Sequence, residues 1–383
     1  MDKNSFYRDA RTDLTGPLQG VTVLEATTTW AGPMAGCMLA DFGADVIKVE
    51  HPTGEIGRRL RPLLPDSSAS LSLPHETVNR NKRSMTLNLS SPAGADVFLD
   101  LARRVDIVVE NFRPGTMADW GVGYEQVRAV KPDIVYVSIS GFGQFGRLSH
   151  RVGYDPIAQH FSGFTSINGD PEGQPVKAAM FLGDDLSGIH AALGALAALR
   201  HRDRTGEGQH VDVALVDALL FQSNANISAG ALGLPTPRTG NEFTVCAPTN
   251  MYTCLDGNVF AGVLTDPHWK RLAATIGRAE LADDPRYATL NERLARRADV
   301  DTLLADWCAQ HRVADVADRD MLQDTTLHDG STAPLVGPAA KFSRTPTRVR
   351  AAAEPLGSST EQLLRELGYG ADAIAQLRKQ GAI

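Results

Sequence analysis

What this 383-residue chain lacks narrows it first. No stretch approaches the ~20 apolar residues that a bilayer-spanning helix needs, so no membrane partner is expected. There is no C-x-x-C pair. The four cysteines, Cys37, Cys246, Cys254 and Cys308, are scattered, which argues against a zinc site or a disulfide framework and fits a reducing cytoplasm. Nor is there a surplus of basic residues: 38 Lys and Arg against 45 Asp and Glu leave a formal net charge of -7, no footprint for nucleic acid. An anionic ligand must then be met by a local cluster of cations. The opening segment, Met1 to Pro17, is polar and mixed in charge, unlike a signal or transit peptide.

What is present reads as a globular α/β protein, with 43% hydrophobic and 22% charged residues. The length points to about two domains. Strand-like and helix-like runs alternate: Val21–Glu25, Met34–Phe42, Asp45–Val49, Ser84–Leu89, Pro92–Arg104, Asp106–Glu110, Tyr124–Val130 and Ile134–Ser138. Such βαβ alternation favours a parallel sheet with right-handed crossovers, a Rossmann-like large domain. It spans 1–222, and the helix pair Ser359–Gly381, broken at Gly368, lies in a segment (340–383) that completes it. The texture changes over 230–329, read as a smaller α+β domain with a hairpin around Asp256-Gly257. Two long irregular segments, Thr53–Asn81 and Gly141–Pro175, carry too many basic or aromatic residues to be plain linkers.

Four clusters could carry chemistry. The turn after the first strand holds Gly32 and Gly36 and the next strand ends at Glu50, but G-x-G-x-x-G is absent and Pro33 removes a donor, which disfavours a dinucleotide. Asn79-Arg80-Asn81-Lys82-Arg83-Ser84 packs cations and amides before a strand, which suits either a phosphate-rich ligand or a solvated basic loop. Asn111-Phe112-Arg113-Pro114-Gly115 follows a strand, where open α/β sheets bind ligands, and could hold a purine. In Phe181-Leu182-Gly183-Asp184-Asp185-Leu186-Ser187-Gly188 an acid opens a helix. It is either an N-cap or a carboxylate kept ionised and aimed by helix donors, with glycines on both sides admitting a bulky thioester.

Read together, these clusters resemble the family III CoA-transferases, the group of formyl-CoA transferase, carnitine CoA-transferase and the 2-methylacyl-CoA racemases. The matching pieces run in family order. They are Leu18-Gln19-Gly20-Val21-Thr22-Val23-Leu24-Glu25, Ala31-Gly32-Pro33, Ala40-Asp41-Phe42-Gly43-Ala44-Asp45-Val46-Ile47-Lys48-Val49-Glu50, Asn81-Lys82-Arg83-Ser84, Val109-Glu110-Asn111-Phe112-Arg113-Pro114-Gly115, Ser138-Ile139-Ser140-Gly141-Phe142-Gly143, Gly183-Asp184, and Thr205-Gly206-Glu207-Gly208-Gln209-His210-Val211-Asp212-Val213. The resemblance implies an interlocked homodimer that moves CoA from an acyl-CoA donor to a carboxylic acid, with CoA as substrate, no tightly bound cofactor and no metal. It implies Asp184 as nucleophile, through an aspartyl anhydride and an aspartyl-CoA thioester. It implies CoA contacts at Trp30, Ala31, His51, Asn81, Lys82, Arg83, Asn111, Phe112 and Arg113, and an acyl pocket including Phe142, Tyr154 and Asp155.

The chain also departs from the family. Where the racemase branch has a proton-moving His before an Asp, this sequence has Gly153-Tyr154-Asp155, and a tyrosine with a pKa near ~10 is a poor proton shuttle. His160 and His190 do not match the position. Racemisation of a 2-methylacyl-CoA stays as the alternative, and a non-catalytic CoA-binding protein as the second, which need not have kept Asp184. Trp30 stands where formyl-CoA transferase has Gln, and Phe142, Tyr154, Phe161 and Phe164 hint at a large or apolar acyl group. The Gly-rich small-domain loop has no counterpart between Gly230 and Gly262. Asp119 stands where an Arg near the adenine is common, and 314–343 reads as shortened.

Overall fold

The computed structural model describes residues 2–64, 69–312, 322–336, 340 and 342–383. Its organising element is a six-stranded sheet: β1 (Thr22–Ala26), β2 (Asp45–Glu50), β3 (Lys82–Thr86), β4 (Ile107–Glu110), β5 (Val135–Ser140) and β6 (Gln209–Ala214). The order is β3-β2-β1-β4-β5-β6, and every neighbouring pair is parallel. The central strands β1, β2, β4 and β5 are buried along nearly their whole length because both faces of the sheet are covered, as parallel sheets require. Adjacent residues of β1 serve opposite layers: Leu24 joins one core with Ile47, Met85 and Phe98, and Val23 joins the other with Val46, Ile107 and Val135.

The first layer holds the helix Pro92–Ala102, whose Ser91 side chain accepts from the Gly94 N–H and whose first residue is proline, the favoured start. The helices Thr360–Glu366 and Ala371–Lys379 add Leu363, Leu364, Ile374 and Leu377 to the same core. The second layer is built by the helices Ala31–Asp41 and Leu182–Thr205. They cross closely at Gly188, where a Cβ would stand 2.9 Å from Met34 Cβ and 3.0 Å from the Ala31 carbonyl oxygen.

The late segment also closes the β3 edge. Ser84 N–H donates to Glu354 Oε2 (2.9 Å), Thr86 N–H to Thr360 Oγ1 (3.0 Å), Ser359 N–H to the Ser84 carbonyl (3.0 Å) and Asn88 N–H to the Ala382 carbonyl (2.7 Å). An edge so covered offers no free ladder to another chain.

Most expected elements are found within a few residues. The long helix begins at Leu182 rather than Asp184, and the irregular stretch before β3 contains a helix, Leu73–Asn79, capped by Ser72 on the His75 N–H. By compactness the chain divides into a first unit, Met1–Ser162, Ala178–Asn224 and Arg319–Ile383, and a second, Gly163–Lys177 and Ala225–Asp318. The second unit contains the antiparallel hairpin β7 (Thr249–Thr253) and β8 (Asn258–Gly262) and a core around Trp269, Tyr287 and Val300. Fully buried Arg293 donates there to the carbonyls of Ala247 (3.0 Å) and Tyr287 (2.9 Å). Residues 314–321, 337–339 and 341 of the segment read as shortened lie outside the described residues. Its described part holds the antiparallel pair β9 (Leu322–Thr326) and β10 (Thr332–Val336). Among the described residues no helix is long and apolar enough to cross a membrane.

Candidate active site

The strand order reverses at β1, with β2 on one side and β4 on the other, so a crevice opens beyond the carboxyl ends of β1 and β4. Two segments are tied together there. Asn111 donates from Nδ2 to the Thr28 carbonyl (2.8 Å) and accepts the Thr28 N–H at Oδ1 (2.8 Å), standing in for a strand partner. The Phe112 N–H donates to Glu110 Oε2 (2.8 Å). Burial pushes the Glu110 carboxyl up to about 7, against the pull of Ser138 and of the Phe112 N–H.

Thr29 takes a left-handed backbone, φ 62, and its N–H donates to Glu55 Oε2 (2.9 Å). A non-glycine residue in that region is strained and needs such a hold. Against the opposing effect of burial, the His75 hydrogen bond and the Lys48 charge hold the Glu55 carboxyl down at about 2. Beneath lies a buried ion cluster: Glu25 meets Lys48 Nζ at 3.2 Å and Lys82 Nζ at 2.7 Å.

Two cavities lie along this crevice. One, of about 350 Å³, has Asp184, Ala31, Asn111, Arg113, Arg151 and Tyr154 in its walls. The other, of about 240 Å³, is lined by His51, Ile56, Leu87, Leu89, Phe112 and Trp120 among others. Thr28 and Phe112 line both. Phe112 and Trp120 meet edge to face, centroids 5.0 Å apart.

Asp184 lies in the first turn of its helix, not at the N-cap, which is Phe181. The missing cap comes from a neighbouring helix, Asp155–Phe161: Asp155 Oδ1 accepts the Gly183 N–H (2.7 Å), while its Oδ2 is held by Gln159 Nε2 (2.7 Å). Burial first, then the charges of Asp155 and Asp185, push the Asp184 carboxyl up to about 7. The helix donors therefore do not dominate its titration, contrary to the expectation of a carboxylate held ionised. Asp185 differs: Trp30 Nε1–H donates to its Oδ1 (2.6 Å), and the Trp30 ring meets Phe181 edge to face. The helix Ala31–Asp41 begins in the wall of the Asp184 cavity, and its N-cap residue, Trp30, makes no side-chain cap hydrogen bond.

The structure thus brings together Asp184, Ala31, Asn111, Phe112, Arg113 and Tyr154, with His51 in the adjoining cavity. Asp155 stands behind Asp184 as a buried support. Trp30 and Phe142 line neither cavity, and Phe142 packs against Phe161. Nor do the cations before β3 reach the crevice. Lys82 is spent on Glu25, the Pro33 carbonyl (2.8 Å) and Asn79 (3.1 Å), and Arg83 pairs with Asp45 (2.5 Å) and Glu366 (3.4 Å). Asn81 binds Asp41 (2.7 Å) and the Arg350 N–H (2.6 Å). His160 bonds the Pro156 carbonyl and His190 meets Phe221, and neither lines either cavity. Sequence reasoning missed Thr28, Thr29, Glu55, Trp120 and Arg151. The only signals were the two long irregular segments, Thr53–Asn81 for Glu55 and Gly141–Pro175 for Arg151.

Comparison with known proteins gives the family of the chain. The model of a family described as CoA-transferase family III matches residues 18–319. The chain is 36% identical to a succinate–glutarate CoA-transferase of Agrobacterium fabrum, over 92% of this chain and 96% of that one. It is 34% identical to the beta subunit of a succinyl-CoA–L-malate CoA-transferase of Chloroflexus aurantiacus, over 97% and 99%. A crystal structure of a CAIB/BAIF family protein from Brucella suis superposes with a TM-score of 0.81 at 30% identity, over 92% of this chain and all of that one.

Proposed function

The chain belongs to CoA-transferase family III and is a CoA-transferase, and we propose that Asp184 is the covalent nucleophile of its reaction. The observation that carries this is its placement. Of the two adjacent aspartates, Asp185 is engaged by Trp30, while Asp184 lines the cavity. The ionised Asp184 carboxylate attacks the donor thioester carbonyl, the C–S bond breaks, and a mixed anhydride and CoA thiolate result. The thiolate then attacks the aspartyl carbonyl, releasing the donor acid and leaving an aspartyl-CoA thioester. The acceptor carboxylate attacks that thioester in turn, and thiolate attack on the acceptor's acyl carbon regenerates Asp184. Each step exchanges acyl bonds of similar energy, so no ATP is consumed. The helix N-terminus at Ala31, in the cavity wall and without a side-chain cap, is assigned as the donor group for the developing oxyanions.

The adenine half of CoA fits the smaller cavity, against Phe112 and Trp120, with His51 at its wall. Arg113, next to Phe112 where the cavities share residues, is the cation for the phosphates in place of Lys82 and Arg83. The relatives' names carry succinate, glutarate and malate, and we assign this chain a dicarboxylic substrate of the same class rather than the apolar acyl group expected from its aromatics. The same family likeness supports a homodimer.

The test is to incubate the protein with succinyl-CoA and hydroxylamine and map the peptides by mass spectrometry. A hydroxamate at Asp184, absent with free CoA and absent in Asp184→Asn, is the expected result. Transfer activity with an unmodified Asp184, or with the mark on Asp185, would overturn the assignment.

A further inference from the structure

The Asp184 cavity is lined by two arginines for which the described residues supply no counter-charge. Arg113 and Arg151 both line it, both are exposed, and neither has a salt bridge or side-chain hydrogen bond among the described residues. The acid that shares the cavity wall is Asp184, and neither arginine is its partner. What moves Asp184 is burial and the two neighbouring aspartates, with no compensating cation. Neither arginine has a side-chain partner among the described residues, so both remain open to a bound anion. A guanidinium so placed presents a planar fork of donors to which only a bound anion can respond.

The two come from different segments of the lining. Arg113 follows Phe112, which also lines the smaller cavity, on the side assigned to the CoA phosphates. Arg151 begins the segment Arg151–Tyr154, which runs directly into Asp155 and its bond to the Gly183 N–H beside Asp184. It is thus on the acyl side. We propose that Arg151 is the specificity-determining residue that binds the distal carboxylate of a dicarboxylic acyl group while its thioester carbonyl faces Asp184. This rests on the reading of Asp184 as nucleophile and adds what selects the acid. A monocarboxylic acyl chain would leave the guanidinium without an anion, and a site built around a polar contact rejects analogues that lack it.

The experiment compares succinyl-CoA with butyryl-CoA, which matches it in length but ends in a methyl group, in wild type, Arg151→Gln, Arg151→Lys and Arg113→Gln. The readout is the ratio of kcat/KM for the two donors, which cancels any difference in active fraction, with the Asp184 hydroxamate trapped in parallel. Wild type should favour succinyl-CoA, Arg151→Gln should collapse the ratio by about thirtyfold, and Arg151→Lys should restore part of it. Arg113→Gln should weaken both donors together. Equal use of both donors by wild type, an unchanged ratio in Arg151→Gln, or a collapse in Arg113→Gln would each overturn the role of Arg151 while leaving the trapped Asp184 intact. Failure to trap Asp184 with any donor despite turnover would instead bring down the nucleophile reading and this inference with it.

Discussion

Asp184 and Asp185 are neighbours in sequence with different fates, and the difference has a measurable price in stability. The unfolded chain releases the Asp184 proton near the ordinary 3.8, the folded one near 7. Between those values the folded state binds the extra proton, so stability falls as pH rises through that window. Asp184→Asn removes the titration. It should match wild type near pH 4 and exceed it by about 2–4 kcal/mol at pH 8, read as a widening gap in Tm. A gap that is flat or reversed across that range would mean the carboxylate is not held in a hostile setting. At this scale the sequence was readable only in part. The Gly-Asp step singled out Asp184, which lines the cavity, but the partners that absorb Lys82 and Arg83 are Glu25, Asp45 and Glu366, far away in the chain. Counting charges in Asn79–Ser84 could not reveal that they were already engaged.

The elements that aim these residues were the most legible part of the sequence. Short Val- and Ile-rich runs bounded by turns and helices marked β1, β2, β4 and β5 closely, because burial on both faces leaves little choice of residue, whereas the polar β3 begins at Lys82, before the expected Ser84. The start of the long helix was misjudged for a physical reason: its cap is Asp155, supplied from another helix, so the local sequence bears no cap signal. Gly32 shows how tightly the first helix is seated. A Cβ there would lie 2.5 Å from Thr27 Cγ2 and 2.9 Å from Asn111 Cγ. Gly32→Ala should therefore cost about 1–3 kcal/mol despite the better helix propensity of alanine, and raise KM for acyl-CoA as the Asn111–Thr28 bracket shifts. Chemical denaturation and initial rates would show both, and a variant equal to wild type in each would mean the helix can move aside freely.

For the whole molecule, the proposed homodimer answers to large apolar side chains left on the surface of a single chain. In the first unit Phe221 is 74% exposed beside His190, and Leu193 on the long helix is 55% exposed. Separately, in the second unit Leu232 is 77% and Phe260 59% exposed. Patches of this kind mark interfaces when they are contiguous. Sedimentation equilibrium should give twice the chain mass, and Phe221→Asp should shift it toward the monomer; a wild-type monomer at micromolar concentration would remove the assembly from the proposal. The edge of β3 has a different consequence. Its backbone is completed by Glu354, Ser359, Thr360 and Ala382, while Leu87 and Leu89, just past that strand, wall the smaller cavity. On the ribosome those completing residues emerge only after the second unit has been synthesised, so the nascent chain must hold an unfinished β3 edge beside this cavity through most of translation, a long interval in which a chaperone can act on it.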